Sequence, residues 1–283
     1  MSEHSTDIVP SGLDGGYGTL AAWEVVPPPG VPPRGTAVLV PGFTGSKEDF
    51  EALLPLLAAS GYRAVAYDQR GQWQSEGPDE IVGYGMDDFT GDLLKVVDQV
   101  AGDEPVHLVG HSFGGYVGRV AVVARPERFR SFTLLASGPS SLEDINFPPP
   151  GLLAQAVEAG GQEFLWQQMS TAMFAADTVP DPERLKFLHD RILATEKANI
   201  LGILRTMETP PLADPAQLRA AGVPLLVAYG DTNDLWPPRV HERFAEQLGA
   251  RRVVYPGVGH LPNEDVPQQV CDDLVAFWSA PVA

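Results

Sequence analysis

Short, unbroken apolar runs alternate with longer stretches of helical period along most of the chain. Residues 36–40, 63–67, 106–109, 131–135, 225–229 and 252–255 are brief and mostly apolar, and a glycine, proline or aspartate follows each within three positions. Continuous runs of this kind predict strands covered on both faces. Between them, residues 50–60 carry Phe50, Leu53, Leu54 and Leu57 as one helical stripe, and residues 89–100 repeat it with Phe89, Leu93, Val96, Val97 and Val100. Residues 113–124, 240–248 and 267–278 complete the helices, with Gly249 as a C-terminal cap for the second of these. Strand and helix in alternation predict an α/β fold, a mostly parallel sheet flanked by helices.

Two interruptions break the alternation. A proline-rich stretch, residues 27–33, separates an early edge strand over 19–26 from the first core strand. The second, residues 138–214, contains no strand pattern and turns helical over 152–158, 162–175 and 182–207. The expected organisation is therefore a core made of residues 1–137 and 215–283, with a helical cap, 138–214, inserted between late strands.

Composition narrows the function classes. The 283 residues carry 19 Lys and Arg against 37 Asp and Glu, a formal net charge of −18. That sign repels phosphate backbones and anionic lipid, so nucleic acid and membrane are not expected partners; a small-molecule substrate is. The one cysteine, Cys271, allows neither an internal disulfide nor a thiolate-rich zinc site, and it falls in the last predicted helix as a buried small hydrophobe. No apolar stretch reaches the roughly 18 residues of a membrane span, and no signal sequence is visible, so a cytoplasmic protein is expected.

The third core strand runs into Gly110-His111-Ser112-Phe113-Gly114. This spacing suits a serine standing proud of a sheet on a tight strand-to-helix turn, with glycine two residues to either side removing bulk. Ser112 then sits at a helix N-terminus, where free N–H groups favour developing negative charge. A serine nucleophile needs a base, and a carboxylate to orient that base. Of six histidines, His4 is terminal, His107 lies within a strand, His111 points to the other side of the turn, and His189 and His241 fall in helical patterns. His260 follows the last strand, at the sheet end where such folds carry their sites. Asp234 is the expected carboxylate because it is far enough from its strand end to reach across; Asp231 is the alternative. The turn at Val40-Pro41-Gly42-Phe43 aims the Phe43 N–H to join the Phe113 N–H as an oxyanion hole, leaving two aromatic rings to line a pocket. His and carboxylates are not clustered at ligand spacing, so neither a metal nor an organic cofactor is implied.

The order Ser112, Asp234, His260 resembles the α/β-hydrolase superfamily over residues 36–278. Asp68-Gln69-Arg70-Gly71-Gln72-Trp73-Gln74-Ser75 is similar to the family's D-x-R-G-x-G-x-S segment, with Trp73 at the second glycine, which puts an indole near the pocket. Gly257-Val258-Gly259-His260, then Glu264 and Pro267, matches its final block, and residues 138–214 stand where the family has its cap. Pro41-Gly42 replaces the common His-Gly, and Asn233 occupies the usual acid position, with Asp234 one residue further. The resemblance implies an α/β-hydrolase fold and a serine hydrolase cleaving a small, largely apolar carboxylic ester through an acyl-enzyme. C–C, amide or thioester hydrolysis, or perhydrolysis, on the same triad is the alternative, and a ligand sensor that keeps the triad is another. In the cap, Leu152, Leu153, Phe164, Leu165, Trp166, Met169, Met173 and Phe174 either wall the substrate or glue the cap to the core.

Overall fold

The computed structural model describes residues 7–139, 145, 147–173, 181–208, 210, 212–232 and 234–280, with 171–173 by backbone alone; Phe174, Asn233 and the Met173 side chain thus lie outside the described residues. The chain runs β1 (Val9–Asp14), β2 (Thr19–Val25), β3 (Gly35–Val40), α1 (Leu53–Ala59), β4 (Tyr62–Tyr67), α2 (Met86–Ala101), β5 (Val106–His111), α3 (Phe113–Ala124) and β6 (Phe129–Leu135). It continues through α4 (Pro150–Met173), α5 (Pro182–Ala194), α6 (Lys197–Glu208) and α7 (Pro215–Ala220). β7 (Leu225–Gly230), α8 (Pro238–Leu248), β8 (Arg251–Tyr255), α9 (Pro262–Asp265) and α10 (Pro267–Trp278) complete it.

All six core strands read from the apolar runs are present. β1 carries no apolar run because it is an exposed edge containing Pro10 and Gly12, and α7 is too short to show a helical period. α4 breaks at Gly161, with φ 70°, between the two helices expected there. The helix expected over 182–207 is instead two, α5 and α6. Thr195 parts them in an extended conformation, its hydroxyl donating to the Arg191 carbonyl.

The eight strands lie in the order β1-β2-β4-β3-β5-β6-β7-β8. β1, β2 and β4 pair antiparallel and every other neighbour is parallel. Side chains alternate between two cores. Val38 and Val40 of β3 face α2, α3 and α8, whereas Ala37 and Leu39 face α1 and α10. Both faces are apolar, which is why these strands read as unbroken runs. A third cluster, with Leu153, Val157, Leu165, Ile192, Ile200 and Leu204, lies within α4, α5 and α6, and Phe43 and Ile81 pack against it.

The topology decides where a site can form. After β4 the chain crosses back over β3 to lay down β5, so the strand order reverses between β3 and β5. Carboxyl ends of strands at such a reversal open a crevice. Among the described residues no helix is long and apolar enough to cross a membrane.

Candidate active site

Ser112 joins β5 to α3 with φ 50° and ψ −116°, a conformation that non-glycine residues rarely adopt. The turn survives because its neighbours are bare. A Cβ on Gly114 would sit 2.3 Å from the Val40 carbonyl oxygen, and one on Gly110 would sit 2.6 Å from that of Gly114. The Ser112 N–H donates to the Leu135 carbonyl at 3.0 Å, tying the turn to β6. Only 8% of Ser112 is exposed, and its hydroxyl makes no hydrogen bond among the described residues.

Because β3 pairs with β5, the turn after β3 lies beside this elbow. A Cβ on Gly42 would be 3.0 Å from that of Ser112. Two buried side chains hold the turn from below: Gln69 Nε2 donates to the Pro41 carbonyl at 3.0 Å, and Gln72 Nε2 to that of Gly42 at 2.9 Å. The N–H groups of Phe43 and Phe113 make no hydrogen bond among the described residues. Their rings differ. Phe43 meets Phe147 edge-on at 6.5 Å, whereas Phe113 turns into the core against Phe89 and Tyr116. Only the first of the two expected aromatic rings therefore faces the helical segment.

His260 hangs on the loop after β8, three strands from β5, so that loop must travel about 14 Å back across the sheet end. Gly230 permits the crossing. A Cβ there would stand 2.1 Å from the Val258 carbonyl oxygen and 2.4 Å from that of Gly259. Asp231 staples the same loop, accepting from the Gly257 N–H at 2.7 Å, and is otherwise exposed. Asp234 instead lies buried, with Oδ1 accepting from His260 Nδ1 at 2.5 Å and from the Leu235 N–H at 2.6 Å. Its Oδ2 accepts from His241 Nε2 at 2.7 Å. Burial alone would raise this carboxyl; the hydrogen bonds from His241 and His260 outweigh it and hold the pKa down to about 2.

His111 does not point away from the site. Its ring lies 4.9 Å from that of His260, and its Nε2 donates to the His260 carbonyl at 2.8 Å. Burial, then the neighbouring His260, lower its pKa to about 4. With Nδ1 of His260 committed to Asp234, Nε2 is the ring nitrogen left for proton transfer. The structure thus joins Asp234 to His260 and holds the His260 carbonyl on His111, the residue before Ser112.

The expected pocket residues are spread more widely. The Trp73 indole donates to Glu48 at 3.2 Å and meets Phe187 edge-on, whereas Trp166 meets His189. Phe187 and His189 are two residues apart on α5, about 200° around it, so the two indoles sit on opposite sides of that helix. Met169 Sδ comes within 3.9 Å of the Thr44 hydroxyl, next to the Phe43 turn. Charge fastens α5 beneath: Arg191 Nη1 pairs with Asp49 Oδ1 at 2.5 Å, both buried, and Arg184 pairs with Glu264, four residues past His260. Desolvation and the Asp49 charge push the Glu264 carboxyl up to about 7 against the opposing pull of Arg184 and Arg191. Among the described residues no three His, Cys, Asp or Glu side chains converge as a metal site.

Sequence reasoning missed His111, His241, Gln69 and Gln72 at this site. The glutamines lie inside a visible motif, but nothing in its pattern says which carbonyls they reach.

Residues 37–267 match the family model described as the alpha/beta hydrolase fold. The "Probable oxidoreductase EphD" of Mycobacterium tuberculosis is 38% identical over 126 residues, 44% of this chain; the match covers only 21% of that protein's length. The "Putative carbamate hydrolase RutD" of Variovorax paradoxus is 31% identical over 77% of this chain and 81% of its own. The solved enol-lactonase of Burkholderia xenovorans LB400 superposes with a TM-score of 0.80 at 20% identity, over 95% of this chain and 100% of that one. The model match over most of the length, and a 31% identical relative of which 81% is spanned, carry the same conclusion: the chain belongs to the α/β hydrolase fold family.

Proposed function

We propose that the chain is a serine hydrolase of small, largely apolar carboxylic esters. The observation that carries the reading is the commitment of His260 Nδ1 to a buried Asp234, on a loop whose His260 carbonyl accepts from His111, next to Ser112. In the proposed reaction, His260 Nε2 takes the Ser112 proton as Oγ bonds to the ester carbonyl carbon. The carbonyl oxygen, now an oxyanion, accepts from the N–H groups of Phe43, in the turn after β3, and of Phe113, at the start of α3. Asp234, ionised at any working pH, stabilises the imidazolium without taking its proton. The imidazolium protonates the leaving alkoxide, the C–O bond breaks, and Ser112 is left acylated. Water then gives its proton to His260 and attacks the acyl carbon; the carboxylic acid leaves as the proton returns to Ser112.

Residues 138–214 serve as the cap in this reading. Phe147 and Met169 of the cap, with Phe43 of the core facing them, give an apolar wall, which suits an uncharged acyl group. Carbamate cleavage follows the same steps with a nitrogen leaving group, and the similarity to the carbamate hydrolase makes it the second reading.

Turnover of p-nitrophenyl esters of two to six acyl carbons, and fluorophosphonate labelling located by mass spectrometry, test the proposal. Wild-type protein is expected to cleave the esters and carry the label on Ser112. Ser112→Ala is expected to lose both while melting at the same temperature. Undiminished cleavage by Ser112→Ala would sink the reading; a panel of carbamates set beside the esters decides between leaving groups.

A further inference from the structure

The mechanism above gives no task to the imidazole that meets Asp234 on its other oxygen. His241, in α8, has no exposed surface. It stacks on Tyr229 of β7 with ring centroids 4.3 Å apart and planes within 15°, and Trp236 meets it edge-on at 5.8 Å. Its ring is therefore fixed in plane, with Nε2 aimed at Asp234 Oδ2. An ionised carboxylate can only accept, so Nε2 carries the hydrogen. Nδ1 has no partner among the described residues, and the Nε2–H tautomer leaves no donor there unpaired.

The need for such a donor follows from aspartate itself. Its terminal torsion is broad and two-fold, so a carboxylate gripped at one oxygen can swing. Both donors to Oδ1, His260 Nδ1 and the Leu235 N–H, sit on that one oxygen. Among the described residues, His241 is the side chain that holds the other. We propose that His241 is a positioning residue: by fixing Oδ2 it keeps Oδ1 of Asp234 in line with His260 Nδ1. The kinetic consequence rests on the serine-hydrolase reading, whereas the geometric one does not.

Three variants separate the donor from the packing. His241→Phe keeps the ring stacked on Tyr229 but loses the hydrogen; His241→Gln and His241→Met match each other in length, and only Gln donates. We expect His241→Phe and His241→Met to lower kcat about 10- to 100-fold with KM within twofold, and His241→Gln to stay within about fivefold of wild type. The far-downfield proton resonance of His260 Nδ1–H, assigned by its loss in His260→Ala, is expected to persist in His241→Gln and to move or broaden in the other two. Circular dichroism confirms folding, and if His241→Phe does not fold, the Gln–Met pair carries the same contrast. Equal impairment of Gln and Met, or an unmoved resonance in both donor-free variants, overturns the proposal. A wild type that cleaves no ester and takes no fluorophosphonate sinks the hydrolase reading alone, since the resonance still decides the role of His241.

Discussion

The strand-end cluster and the helical segment facing it are held in different ways. At the strand ends, Ser112, Asp234, His260 and the Phe43 turn each sit on backbone whose path is dictated by close approach or by hydrogen bonds from buried side chains. The helices α4, α5 and α6 share an apolar cluster of their own and are tied down by a few charged pairs. The first arrangement fixes atoms to fractions of an ångström, as a reaction requires; the second fixes a surface, as recognition requires. Changes at the strand ends should therefore act on kcat, and changes in the helical segment on KM and stability.

Asp234→Asn makes the sharpest test, with an expected loss of about 10⁴-fold in kcat for a wrongly oriented base, against less than about threefold for Asp231→Asn. Stopped-flow ester hydrolysis measures both, and comparable losses would erase the distinction between catalytic acid and loop staple. Gln72→Leu removes the donor to the Gly42 carbonyl without touching substrate, and kcat is expected to fall up to about 100-fold with KM nearly constant.

On the other side of the comparison, Arg191→Met leaves Asp49 buried without its partner, and urea denaturation should register a loss of about 3 kcal/mol. The double change Asp49→Asn, Arg191→Met should recover most of it, because an asparagine still accepts from the Ser46 N–H. KM should rise in the single variant while kcat changes little.

A further effect is one of pH. Glu264 binds its proton more tightly folded, at about 7, than unfolded, at about 4.5. Its contribution to stability is therefore fully present below about pH 4.5 and lost as the pH rises through 7. Melting temperature followed from pH 4.5 to 8 should fall more steeply in wild type than in Glu264→Gln. Asp234 runs the opposite way: its contribution is present above about 3.8 and lost as the pH falls toward 2.

The sequence is most legible where one requirement governs a stretch of residues. Strands buried on both faces must be apolar at most positions, so β3 to β7 stand out as largely apolar runs, whereas the edge strand β8 shows a shorter one. The elbow is legible because its glycines answer a steric demand within five residues. Asp234 is preferred over Asp231 by reach alone, and the geometry has Asp231 on the Gly257 N–H and Asp234 on His260. Contacts made between elements distant in the chain cannot be read in this way. His241 looks like one more position on a helix face, and only the packing of α8 on β7 turns it toward Asp234. Trp73 is expected near the pocket from its place in a motif, yet Glu48 and Phe187 claim its indole. The break at Thr195 is hidden too: one residue in an extended conformation leaves no mark on an apolar period.

Among the described residues four that are not glycine take left-handed backbone, Thr44, Trp73, Ser112 and Ala136, and each follows the end of one of the four consecutive strands β3 to β6. Strained residues persist only where the surrounding structure over-determines them. The crossing at Gly230 adds a matter of timing. On the proposed reading, the serine is set on its elbow once β3, β5 and β6 have paired, but its base arrives only when β8 has joined β7 and Val258 and Gly259 have closed over Gly230. A chain still emerging or half refolded holds a serine without a proton acceptor. On that reading, the crossing leaves the nucleophile without its base until the last strand is home.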